Sequence, residues 1–139
     1  MSNYEQSNPG SDSKNSSLPS IFLDADHYSR FDHHLNQLNK HQQVSPEYQS
    51  ALFILTSTDE LYRKTISYFG SHGFSHLDMF EEQDFSSGYG LMVKAAGNLF
   101  GFYEYELSLA HLVGAIDDEL FPVFIQALII RKHGLQDLG

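Results

Sequence analysis

Carboxylates carry the densest chemistry in this chain. Between Asp78 and Glu119 there are nine of them against one basic residue, Lys94. Asp78, Glu81, Glu82 and Asp84 form a first cluster, Glu104 and Glu106 a second, and Asp117, Asp118 and Glu119 a third. Phe80, Phe85, Tyr89, Phe102, Tyr103 and Tyr105 lie beside or between them. Such a bunched acidic and aromatic surface draws cationic partners and repels nucleic-acid phosphates. The net charge of −10 over 139 residues points the same way, because phosphate neutralisation dominates nucleic-acid affinity. The eight basic residues are scattered; only Arg63-Lys64 and Arg131-Lys132 are adjacent, so no basic stripe forms.

Eight histidines without a cysteine raise the question of a metal. His72 and His76, four apart, would share a helix face and co-ligate an ion, with Asp78 or Glu81 as third ligand. Against this, Gly70 and Gly73 oppose a regular helix, and the glutamate of metalloprotease helices is missing. His72, His76 and Asp78 therefore form the metal-binding or hydrolytic alternative to an ordinary polar connection. His27 and His34 share a helical face but sit about 10.5 Å apart along it, beyond the reach of one zinc ion with bonds of about 2 Å. His33 points to the opposite face. These residues, with Asp24, Asp26 and Asp32, read as solvated or edge-of-core groups. Asp32-His33-His34 also spells a phosphoesterase tripeptide, without that family's further acidic motifs.

Glu104 and Glu106 would share a face in a strand, the geometry of an acid–base pair, yet the flanking tyrosines read as an exposed polar edge. Asp117 to Glu119 belong at a helix start, where acids meet the positive end of the dipole. Ser86-Ser87-Gly88-Tyr89-Gly90 resembles an anion-binding turn but lacks the P-loop lysine and spacing, and reads as a capped helix start. Asp78 to Asp84 lacks the ligand spacing of a calcium loop. No catalytic residue and no cofactor motif emerges.

The elements that must position these groups are helical. Asp24 caps a helix carrying Tyr28, Phe31, Leu35 and Leu38 at helical spacing, and residues 41–44 link it to the next. Ser45-Pro46 opens a second, with Tyr48, Ala51, Leu52 and Leu55 in a stripe. Ser57 and Glu60 match a capping box for a helix that runs through Tyr62, Ile66 and Phe69 to Gly70. Residues 71–85 have no period and read as loop with a short helical turn. Ser86 or Ser87 starts a helix on which Leu91, Met92, Ala95, Ala96, Leu99 and Phe100 share a face. Its glycines imply that another backbone packs closely. A short strand is expected around 102–105, and a short helix over 107–113. Asp117 or Asp118 caps the last helix, which Gly134 ends. Because residues 120–130 are apolar nearly all round, this helix is expected at the centre of the core.

The length fits one domain with a core of its own. The expected fold is all-α: a single-domain bundle of about five to six helices over 21–139, behind a flexible polar tail over 1–20. No leader pattern is visible, and the apolar run 120–130 is about half a membrane span. A cytoplasmic protein without membrane partners is the expectation.

Ile21-Phe22-Leu23-Asp24, Ala51-Leu52-Phe53-Ile54-Leu55, Ser86-Ser87-Gly88, Asn98-Leu99-Phe100-Gly101 and Phe121-Pro122-Val123-Phe124 together resemble small helical proteins of Gram-positive bacteria and their phages or plasmids. That resemblance implies a helical domain in a mobile-element setting and carries no activity with it. The functional expectation is a non-enzymatic, accessory or inhibitory interaction protein. It would grip a protein partner of the basic or nucleic-acid-binding kind through Asp78, Phe80, Glu81, Glu82, Asp84, Tyr103, Glu104, Tyr105 and Glu106. The acids would steer and the aromatics anchor. A self-associating scaffold, paired through the glycine-bearing or the last helix, is a further expectation.

Overall fold

Polar caps set most of the helix boundaries in the computed structural model, which describes residues 21–135. The segment 1–20 expected as a tail lies outside the described residues. Asp24 accepts from the His27 amide at 2.8 Å and opens α1, Ala25–Leu35. Asn39 and Gln42 close a capping box around α2, Lys40–Gln43, so most of the expected link is itself a helical turn. Ser45 caps α3, Pro46–Leu55. Thr58 caps α4, Asp59–Thr65, accepting from the Leu61 amide at 3.2 Å. The capping box expected at Ser57 does not form. Ser57 is fully buried and donates its hydroxyl backward to the Ile54 carbonyl, which moves the cap by one residue.

α4 also ends earlier than the apolar spacing implied. A 3-10 turn over Ile66–Tyr68 leads into an antiparallel hairpin of β1, Phe69–Gly70, and β2, Gly73–Phe74. α5, His76–Glu82, follows at once. Residues 71–85 therefore hold more structure than a loop; two-residue strands and a two-turn helix are too short to print a period. α6, Ser87–Phe100, starts at Ser86 and stops at Gly101, whose φ of 127° suits glycine. α7, Leu109–Ala115, is capped by Ser108. Ahead of α8, Leu120–His133, the Asp117 carboxylate accepts from the Glu119 and Leu120 amides at 3.1 and 2.9 Å. Eight α-helices thus stand among the described residues, where five to six were expected.

α3, not α8, is the central helix. Every residue from Gln49 to Leu55 is buried, and α3 packs against both α6 and α8. α8 turns Leu120, Val123, Phe124, Ala127 and Ile130 inward and leaves the rest of its apolar surface outside. Polar pins tie the layers together. Arg30 donates to the Thr56 and Ser57 carbonyls, and Arg131 to the Leu99 carbonyl. Gln49 accepts from the Leu135 amide. Among the described residues no helix is long and apolar enough to cross a membrane.

Candidate protein-interaction site

α5 is held at both ends of its short length. The Ser75 amide donates to the Tyr68 carbonyl at 2.8 Å, so the hairpin fixes where the helix begins. His76 and Met79 then face inward, while Asp78, Glu81 and Glu82 are exposed. Beyond the helix Asp84 is also exposed, and its carbonyl accepts from Lys64.

The second acid cluster is brought to α5 by the segment after α6. Gly101 ends the helix, and the Asn98 side-chain amide donates to the Phe102 and Tyr105 carbonyls at 3.2 Å each. These bonds fold residues 102–105 back onto α6 and occupy the Phe102 and Tyr105 carbonyls, and the strand expected there does not form. The Tyr105 ring settles over Gly97: a Cβ at that position would lie 2.8 Å from the ring. Gly97 is thus small to admit an aromatic ring. At Gly88 the expected backbone approach is found, since a Cβ there would meet the Ala115 carbonyl at 3.3 Å.

His76 joins the two pieces. Its imidazole stacks on Phe102 with centroids 3.7 Å apart and planes 25° apart. Its Nδ1 is hydrogen-bonded to the Tyr105 hydroxyl, and its Nε2 lies 3.6 Å from a Glu104 carboxylate oxygen. Burial, reinforced by the Glu104 charge, pushes the Tyr105 hydroxyl up to about 12, so it stays protonated. The arrangement is satisfied when that O–H donates to Nδ1 and Nε2–H faces Glu104. Phe80 completes the seam, packing edge-on against Tyr105 at 5.7 Å and against Phe85 at 5.9 Å.

The two clusters expected from sequence lie on segments that His76, Phe80 and Tyr105 pack together, and the outside of these segments is the candidate surface. Asp78, Glu81, Glu82, Asp84, Glu104 and Glu106 are exposed on it, Phe80 and Tyr105 are half-buried beneath it, and Tyr103 stands 86% exposed. Among the described residues none of the six carboxylates pairs with a lysine or arginine; Lys64 pairs with Glu60 instead. Tyr68 donates to Glu82, a bond that raises its own hydroxyl pKa. The third acid cluster separates from this surface in role, because Asp117 caps α8.

The histidine sets do not converge. His72 sits in the hairpin turn with its Nε2 on the Tyr68 carbonyl at 3.1 Å, His76 is committed to Tyr105 and Phe102, and Asp78 faces solvent. Among the described residues no three histidine or carboxylate side chains gather into a metal-ligating group. His27 is enclosed in the core, His34 bonds the Tyr62 hydroxyl at 2.8 Å, and exposed His33 bonds Gln37. Burial and the neighbouring His33 lower the His34 pKa.

Sequence reasoning named the exposed groups and missed the scaffold beneath them: His76 as a bridge, Phe102, Asn98 and Gly97. The available signal was a glycine inside an amphipathic helix, eight residues before a tyrosine in an aromatic run. No family model matches this chain, and no curated protein or solved structure matches it.

Proposed function

We propose that this chain is a protein-interaction module with an accessory or inhibitory role, which engages a basic protein partner through α5 and residues 102–106. The observation that supports this reading is the Phe80–Tyr105 contact, which packs together two segments whose acid clusters, ending at Asp84 and beginning at Glu104, are twenty residues apart in sequence. Six carboxylates without lysine or arginine partners among the described residues raise the negative potential there, and such a field speeds encounter with a cationic surface. Tyr103 supplies the aromatic group that a partner would bury. Where the partner is a nucleic-acid-binding enzyme, the acids imitate phosphates.

Capture from a host lysate, identification by mass spectrometry and titration of the purified partner test the reading. Joint reversal of Glu81, Glu82 and Asp84 to lysine is expected to weaken binding at least about 100-fold. Affinity unchanged by that reversal would remove the proposal.

A further inference from the structure

α8 carries a second, independent surface. Phe121, Ile125, Leu128 and Ile129 leave the core and remain 39–46% exposed. Leu109 of α7, 66% exposed, borders the same apolar cleft of about 110 Å³ as Leu128 and extends the patch. Large contiguous apolar patches on a folded surface mark sites of association.

The pattern along α8 says what covers it. Asp118, Phe121, Ile125, Leu128 and Lys132 follow one another at spacings of three, four, three and four, the seam of a helix pair. The three apolar members stand in the middle, the acid is exposed in the turn just before the helix, and the exposed base is in its last turn. Lys132 lies seven residues beyond Ile125, about 10.5 Å at helical rise, and Asp118 lies seven residues before it, in the turn that leads into the helix. A two-fold axis at Ile125 that sets two α8 helices nearly antiparallel therefore superposes apolar on apolar and each Asp118 on the other copy's Lys132. A parallel pairing would put like charges together. Two-fold symmetry generates each charge contact twice.

We infer that the occupant of this face is a second copy of the chain, in an isologous, near-antiparallel dimer centred on Ile125. Residues 1–20 offer a poorer cover, since Met1, Tyr4 and Leu18 are their only large apolar groups besides proline. Opposite charge at the two ends sets direction, and burial of the stripe supplies the affinity.

Sedimentation velocity of the full chain over about 1–200 µM tests this. A monomer–dimer equilibrium is expected in that range, and Ile125→Asp should raise its dissociation constant at least about 100-fold with the helical circular dichroism intact. Asp118→Lys and Lys132→Glu should each raise it about tenfold, and the two combined should return it to within about threefold of the unaltered chain. A chain monomeric throughout, with or without residues 121–129 shielded from exchange by another segment, would overturn the inference. So would a dimer indifferent to Ile125→Asp, or a charge-swapped double variant that fails to recover.

Discussion

His27 lies fully buried between Phe22 and Phe53, with its Nε2 on the Phe53 carbonyl at 2.8 Å and its Nδ1 accepting from the Leu23 amide. Both ring nitrogens are satisfied only in the neutral form. Burial, aided by the Arg30 charge and opposed by the Phe53 bond and Asp24, lowers its pKa to about 4. In the unfolded chain the imidazole titrates near 6.5, so between those values the unfolded state binds more protons and stability rises with pH. The contribution is complete above about pH 6.5 and fades as the pH falls toward 4, by roughly 2–3 kcal/mol at pH 4.5. Urea unfolding at pH 7.5 and 4.5 is expected to register that loss, and a His27→Asn chain should lose markedly less between the two pH values. At Gly97 the effect is steric. Gly97→Ala should destabilise by about 1–3 kcal/mol, because the new methyl meets the Tyr105 ring at 2.8 Å. In a Tyr105→Ala background most of that cost should vanish, and denaturant unfolding of the four proteins of this cycle measures it.

Helix ends can be read from sequence wherever a short polar side chain has one available set of amides. Asp24, Ser45 and Ser86 were legible for that reason. Ser57 was not, because burial turns its hydroxyl toward Ile54, an outcome that only the packed core determines. α8 gives the corresponding measurement. Asp117→Ala should cost about 1 kcal/mol in thermal unfolding, while Glu119→Ala, whose side chain makes no cap bond, should stay within about 0.5 kcal/mol. The place of α8 in the bundle differs from the expectation because residues 120–130 are apolar nearly all round, which a buried helix and a helix with a sticky outer face both satisfy. Seven consecutive buried residues in α3 identify the true centre. The hairpin and α5 escaped detection because each is shorter than the period needed to see it.

Across the whole molecule, the exposed acids are visible as composition, but the packing of α5 against residues 102–106 is not. It depends on Asn98 recapturing the chain after Gly101 and on His76 inserting between Phe102 and Tyr105, contacts that span up to twenty-nine residues. The result is a bundle with exposed acids on α5 and on residues 104–106, proposed as one acidic face, and with exposed apolar side chains along α8. Association through the acidic face should weaken steeply with added salt, whereas pairing through the α8 stripe should depend on salt only at its two ends. Amide hydrogen exchange of the partner complex tests the central claim most directly. Joint protection of residues 78–84 and 103–106, with α1 unchanged, is the expected result. Protection of one segment without the other, or of neither, would contradict a single surface.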